Sequence, residues 1–95
     1  MIRSFRDKAT ALVFRGRVPR SMARDLAAAA RRKLLMLDTA ERLDDLRAPP
    51  GNRLEALRGD RAGQHAIRSN GQWRICFVWR DDGPHVAEIV DYHQG

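Results

Sequence analysis

The spacing of apolar residues divides the chain into a helical first half and a strand-rich second half. In the first half, apolar side chains recur at intervals of three and four, which is the spacing of one helix face. This pattern predicts one helix that Asp7 caps and Gly16 ends, and a longer one from residues 19–21 to Leu37. Residues 1–6 alternate weakly and predict a short opening strand.

A third, shorter helix is predicted where the apolar spacing breaks after Leu37. Asp38 can cap it, with Glu41 at the reciprocal position, and the helix would present Leu43 and Leu46. The run Pro49-Pro50-Gly51 is then expected to end helical structure, because proline removes a backbone donor and clashes with the preceding turn.

The second half predicts four strands, at residues 52–57, 64–69, 73–79 and 85–92. Asn70-Gly71 is a strong hairpin signal between the second and third strands, and Asp81-Asp82-Gly83 serves the next hairpin. Helices followed by an antiparallel meander predict an α+β fold, a twisted, mainly antiparallel sheet with the N-terminal helices packed on one face. The other face would be open.

The third predicted strand assigns residues to these two faces, because side chains alternate along a strand. Its apolar set is expected in the core: Trp73, Ile75, Phe77 and Trp79. The alternate set points to the other face: Arg74, Cys76, Val78 and Arg80. The single cysteine is expected to be an inert buried thiol.

Charge is the main compositional feature of this 95-residue chain, which is short enough to be one domain over residues 1–95. It has 18 Lys+Arg against 12 Asp+Glu, a net charge of +6, and almost every cation is an arginine. Arginine pairs phosphates bidentately and stacks on bases, so the balance suits a nucleic-acid or acidic protein partner. A GC-rich coding sequence that favours arginine codons would explain the same bias.

Several classes of protein are disfavoured. One cysteine cannot build a disulfide framework or a paired-cysteine metal site, and the three histidines, His65, His85 and His93, lack metal-ligand spacing. No apolar run approaches the ~20 residues of a membrane span, and the N-terminus has no signal-peptide pattern. We therefore expect a cytoplasmic protein without metal, cofactor or membrane association.

Polar residues at the strand ends are the remaining candidates for chemistry: Glu55, Arg58, Arg74 and Asp91-Tyr92-His93. They suit attack on a phosphodiester by an RNA 2′-hydroxyl, which needs a base, an acid and cations for the developing charge. His93 or Glu55 could take a proton, His93 or Asp91 could shuttle one, and the arginines could clamp the phosphate. Alternatively, these residues have no catalytic role and are ordinary polar side chains at strand ends. In that case, Glu55 could pair with an arginine on the adjacent strand.

Three ordered motifs and the opening residues 1–8 resemble the HigB (plasmid-maintenance killer) branch of the RelE/ParE toxin superfamily. The motifs are PPGNRLEALRGDRAGQ at residues 49–64, QWRICF at residues 72–77 and EIVDYH at residues 88–93. The resemblance implies a ribosome-dependent mRNA endoribonuclease that cleaves codons in the A site. It also implies a helix-turn-helix antitoxin that neutralises the toxin, so that operator DNA is contacted only through their complex.

The resemblance also implies roles for individual residues. Arg74 resembles the phosphate-contacting arginine, and Asp91, Tyr92 and His93 match the C-terminal functional triplet. Arg58 stands where the family often has a catalytic lysine, and Glu55 stands where one subgroup has a histidine, so catalysis by imidazole is not implied there. We assign Glu55, Arg58, Arg74, Asp91 and His93 to catalysis. RNA binding is assigned to Arg53, Arg61 and Tyr92.

One alternative function stays open at this point. Relatives of the ParE type share the fold and inhibit growth without enzymatic activity, by binding DNA gyrase. Fold alone does not separate the two classes, because function depends on the site. The arginines Arg58 and Arg74, together with the C-terminal triplet, favour the nuclease.

Overall fold

The computed structural model describes residues 1–92, which form two α-helices, four strands and three short 3-10 turns. Helices α1 and α2 span Lys8–Phe14 and Arg24–Thr39. The strands are β1 Glu55–Ala56, β2 His65–Asn70, β3 Trp73–Arg80 and β4 Gly83–Asp91. They pair antiparallel in the order β1-β2-β3-β4, which confirms the predicted α+β fold and both hairpins.

Helix α1 has the predicted cap, whereas α2 begins later than expected. Asp7 accepts a hydrogen bond from the Thr10 amide at 2.7 Å, and Gly16 follows the helix at a φ of 89°. Helix α2 starts at Arg24, because the residues from Pro19 form a separate turn closed by the Met22 amide and the Pro19 carbonyl.

The prediction that Asp38 caps a third helix is wrong. Helix α2 continues through Asp38, whose carboxylate accepts a hydrogen bond from the Ile2 amide at 2.8 Å. A 3-10 turn, Leu43–Arg47, follows instead, and Asp45 accepts from the amides of Glu41 and Arg42. A 3-10 turn, Pro50–Asn52, begins at the second proline, where helical structure is expected to end, and another, Gly59–Arg61, follows it. Such turns need only bonds between residues three apart.

The N-terminal segment is not a full strand. Arg3 and Arg6 donate backbone hydrogen bonds to β4, but only Phe5 forms a bridge, in parallel with Ala87. Strand β4 has a register shift at this point, and Val86 adopts a φ of 47°, so the strand edge is irregular. A regular ladder therefore does not form along the segment.

The core lies between the helices and one face of the sheet. Ile67, Ile75 and Phe77 are fully buried there against Leu34 and Leu37 of α2. Trp73 and Trp79, also predicted as core, are half-buried at the two ends of β3. No helix within residues 1–92 is long and apolar enough to cross a membrane.

Candidate active site

The sheet face that points away from the helices carries an open cleft of about 550 Å³. Its lining contains four of the residues that the sequence predicts for the site, and is made by Glu55, Ala56, Leu57, Arg58, Arg61 and Tyr92. The cleft lies where the short strand β1 ends and the segment between β1 and β2 begins. Half of the site residues predicted from sequence therefore line one concave surface.

Strand register explains the shape of this surface. Glu55 pairs with Ala66, Ala66 with Cys76, and Cys76 with Glu88, so these four residues form one row across the sheet. Paired residues point to the same face, which puts both carboxylates on the open side. The methyl group of Ala66 fills little volume between them.

Arg61 is held beside this row by two side chains. Its Nη1 donates to Glu88 Oε1 at 3.1 Å and to Gln64 Oε1 at 3.0 Å. The hydrogen bond with Glu88 is the main cause that raises the pKa of Arg61. Because the pair is partly buried, the guanidinium is both charged and fixed in direction.

Arg74 lies on the same face, stacked on Tyr92. Its guanidinium carbon is 5.5 Å from the centre of the Tyr92 ring, a cation–π geometry. Nη1 also donates to the carbonyls of Gly71 and Trp73 at 3.0 and 3.1 Å. The β2–β3 turn therefore positions the arginine that the sequence assigns to phosphate contact.

Tyr92 covers the cysteine of the central strand. The Tyr92 hydroxyl is 3.8 Å from Cys76 Sγ, and the Tyr92 amide donates to the Gln72 carbonyl at 2.8 Å. Burial, followed by the hydrogen bond with Cys76, raises the pKa of Tyr92 to about 12. Burial likewise raises the pKa of the Cys76 thiol. At neutral pH, both groups therefore keep their protons, and Tyr92 can donate a hydrogen bond or stack on a base.

A buried asparagine anchors the segment that carries Glu55 and Arg58. Asn52 has no exposed surface, and its amide nitrogen donates to the Leu46 carbonyl at 3.1 Å. Lys33 Nζ of α2 donates to Asn52 Oδ1 at 2.6 Å, and burial lowers the pKa of Lys33. The chain then passes through Arg53 in the left-handed region, at φ 48°, into β1.

Not every predicted site residue is brought to the cleft. Arg53 is exposed and does not line it. Asp91 pairs with Trp73, so it falls on the helix-facing side of the sheet, opposite to Tyr92. His93 lies outside the described residues. The structure therefore brings Glu55, Arg58, Arg61 and Tyr92 together in the cleft and separates Arg53 and Asp91 from them. Arg74 does not line the cleft but lies against Tyr92.

The remaining histidines do not contribute an imidazole to the cleft. His65 stacks on Phe77 with ring centres 6.3 Å apart, on the core side of the sheet. His85 Nε2 is 2.6 Å from Asp82 Oδ1, close to the β3–β4 turn. Within residues 1–92, no group of three His, Cys, Asp or Glu side chains is arranged to hold a metal ion.

Glu88 and Gln64 also belong to this surface, although the sequence did not predict them as site residues. Both orient Arg61, and Glu88 is 27 residues away from it in sequence. Gln64 is only three residues from Arg61, but the place of Glu88 depends on the pairing of the strands, which sequence spacing does not contain. The available signal was the alternation of side chains, since Glu88 and Val90 share one face of β4 and Tyr92, just after the strand, continues the same spacing.

Comparison with known protein sequences identifies relatives of this chain. Toxin HigB-1 of Vibrio cholerae is 46% identical over 63 residues, which cover 66% of this chain and 65% of that protein. Endoribonuclease HigB of Proteus vulgaris is 29% identical over 93 residues, which are 98% of this chain and 100% of that protein. The chain thus spans a little less than two thirds of the Vibrio protein and the full length of the Proteus protein.

The family match covers more of the chain than the Vibrio alignment. Residues 3–93 match the HigB-like toxin family, described as the RelE-like toxin of the type II toxin-antitoxin system HigB. That range includes all three motifs and every residue that lines the cleft. The chain belongs to the HigB-like family of RelE-like toxins.

Proposed function

We propose that this protein is the toxin of a type II toxin–antitoxin system and an endoribonuclease that cleaves mRNA in the ribosomal A site. The family match and the Proteus relative, named an endoribonuclease, support the ribonuclease activity. The observation that carries the proposal is the cleft itself. Two arginines line it together with a carboxylate and an aromatic ring, and a third, Arg74, lies against that ring on the same sheet face.

The charge of this surface suits the transition state of RNA cleavage. When the 2′-oxygen attacks phosphorus, negative charge grows on the non-bridging oxygens. Arg58 and Arg61 line the cleft, and Glu88 holds Arg61 in place there. Arg74 projects from β3 on the same face and contacts Tyr92. Guanidinium groups stay charged, so Arg58 contributes electrostatically where a lysine could also transfer a proton.

Proton transfer requires two further groups. Glu55 lines the cleft and is exposed, so its carboxylate can accept the 2′-hydroxyl proton as the bond to phosphorus forms. The bond to the 5′-oxygen then breaks, and that oxygen takes a proton from an acid. His93 is the candidate for this acid on sequence grounds, and Asp91 would have to act from the strand end. Tyr92 offers its ring to a base.

We further propose that the ribosome supplies part of the substrate positioning. The cleft is open to solvent, so the described residues would contact RNA on one side only. A correct attack geometry contributes several orders of magnitude to rate, and a second surface can provide it. Cleavage would therefore take place in the cytoplasm on translating ribosomes.

The proposed partner is a helix-turn-helix antitoxin that covers the same face. An acidic or amphipathic surface would complement the exposed arginines and exclude mRNA. Such an antitoxin would bind operator DNA, and the toxin would reach that DNA only within the complex. High-level expression of active protein without a partner and without growth arrest would contradict the toxin assignment.

Primer extension on a defined mRNA tests the proposal directly. We expect strong cleavage at A-site codons when ribosomes are present and little cleavage of the same RNA alone. Efficient cutting of free RNA, independent of codon, would contradict ribosome dependence while leaving the ribonuclease in place. DNA damage that precedes any loss of translation, without cleaved mRNA, would favour the gyrase-directed alternative.

A further inference from the structure

A second cleft, of about 320 Å³, lies next to the first and shares Arg61 with it. Its other lining residues are Arg6, Asp60 and Gln64, of which Arg6 lies outside the motifs of residues 49–93. Two arginines against one carboxylate give this lining a net positive charge. The hydrogen bonds of Arg61 Nη1 to Glu88 and Gln64 hold the guanidinium at the boundary between the two clefts.

Arg6 is attached to a fixed part of the backbone. Its amide donates to the Ala87 carbonyl at 2.9 Å, and the next residue, Asp7, caps helix α1. Ala87 immediately precedes Glu88, the partner of Arg61. The N-terminal segment therefore places Arg6 in the lining of the second cleft together with Arg61, while the Arg6 side chain stays exposed.

We propose that the second cleft is a subsite for the backbone phosphate of a nucleotide that flanks the cleaved one, with Arg6 as its main contact. The proposal rests on the ribonuclease function proposed above and names a further part of its substrate site. A continuous strand of RNA can occupy both clefts, because they meet at Arg61. Exposed arginine next to a second guanidinium is a suitable contact for phosphate.

The carboxylate in this cleft predicts the direction in which RNA affinity changes when a charge is removed. Asp60 lies in the lining with Arg6 and repels a phosphate there. Removing the charge of Asp60 should therefore strengthen RNA binding, whereas removing the charge of Arg6 should weaken it. Opposite effects from two residues of one cleft distinguish phosphate binding from a general loss of structure.

Affinity for RNA of two lengths tests the subsite. A dinucleotide and an octanucleotide, both 2′-O-methylated so that the attacking oxygen is blocked, are titrated at low salt and followed by fluorescence anisotropy. We expect Arg6→Ala to weaken octanucleotide binding about fivefold, the loss of one phosphate contact, and to leave the dinucleotide unchanged. Asp60→Asn should tighten octanucleotide binding, and Arg6→Lys should keep most of the affinity.

Arg80→Ala is the control of equal charge change, because Arg80 is exposed at the end of β3 and lines neither cleft. Equal losses from Arg6→Ala and Arg80→Ala, a loss that extends to the dinucleotide, or weaker binding by Asp60→Asn would overturn the subsite. The subsite would also be overturned if the octanucleotide did not bind the unmodified protein. The same holds if Arg6→Ala weakened only the binding of the antitoxin. Failure of the unmodified protein to cleave mRNA, with or without ribosomes, would instead contradict the ribonuclease proposal.

Discussion

The two faces of the sheet come from the same strands but are built on different principles. On the helix side, Ile67, Ile75 and Phe77 are buried by other apolar side chains. On the opposite side, Ala66 and Cys76 are equally buried, although no helix covers them. The polar and aromatic side chains of the candidate site provide that cover.

This difference shows how the second face can be both closed and chemically active. Tyr92 covers Cys76, and the Arg61–Glu88 pair crosses the sheet beside it. Each of these side chains remains partly exposed to solvent. The side chains that bury Cys76 of β3 therefore also form part of the wall of the cleft. Mutations on the helix side should therefore act mainly on stability, and mutations on the open side mainly on activity.

The largest effect on stability is expected for Phe77→Ala. Phe77 has no exposed surface and packs within the main core, so its removal costs the transfer energy of the ring and leaves a cavity. We expect a loss of about 3–5 kcal/mol in the free energy of unfolding. Urea denaturation measures this loss. An unchanged denaturation midpoint would contradict the assignment of this face as the core.

The largest effect on activity with little effect on stability is expected for Arg74→Ala. Transition-state contacts of this kind contribute roughly 10²–10³ in rate, so cleavage on ribosomes should fall by about that factor. The denaturation midpoint should change little, since the Arg74 contacts are with exposed turn carbonyls and one ring.

The control for this experiment is Arg80→Ala, which removes the same charge from the same strand at an exposed position outside the cleft. If that variant keeps near-normal activity, the loss in Arg74→Ala is caused by the position of Arg74 and not by the change in net charge. If Arg74→Ala remains as toxic as the unmodified protein at matched protein levels, the proposed site is misplaced.

A smaller and mixed effect is expected for Asn52→Ala, because Asn52 joins the two regions. The change leaves the Leu46 carbonyl and the Lys33 ammonium without their partner. A buried polar group left unsatisfied costs about 1–3 kcal/mol. Loss of this anchor should also loosen the segment that carries Glu55, so the cleavage rate should fall while ribosome affinity is retained. A stability equal to that of the unmodified protein would exclude the anchoring role.

Alternation and turn chemistry in the sequence were sufficient to predict most of the sheet. The faces of β3 follow from the period of two, which correctly put Phe77 in the core and Arg74 on the open side. The same rule should have separated the C-terminal triplet. Adjacent residues of a strand cannot share a face, and Asp91 accordingly lies opposite to Tyr92.

Features set by distant contacts could not be predicted in the same way. Asp38 and Asp45 are both acceptable capping residues by local sequence. In the structure, Asp38 lies inside α2 and its carboxylate accepts a hydrogen bond from the Ile2 amide, 36 positions away in sequence. The place of Glu88 beside Arg61 likewise depends on strand pairing, so the sequence predicted several residues of the cleft but not the carboxylate that orients Arg61.

The smallest expected effect concerns the titration of Tyr92, the only tyrosine of the chain. Burial and the hydrogen bond with Cys76 raise its pKa from 10.0 to about 12. The folded protein therefore holds this proton to higher pH than the unfolded chain. Stability from this group is complete below pH 10.0 and is lost as the pH rises through about 12.

The absorbance of the Tyr92 phenolate follows this titration. Cys76→Ala should lower the pKa of Tyr92 part of the way, because burial remains, whereas Cys76→Ser should preserve the raised value by keeping a hydroxyl partner. A Tyr92 pKa that is the same in all three proteins would show that the thiol contributes nothing to the cover of the open face.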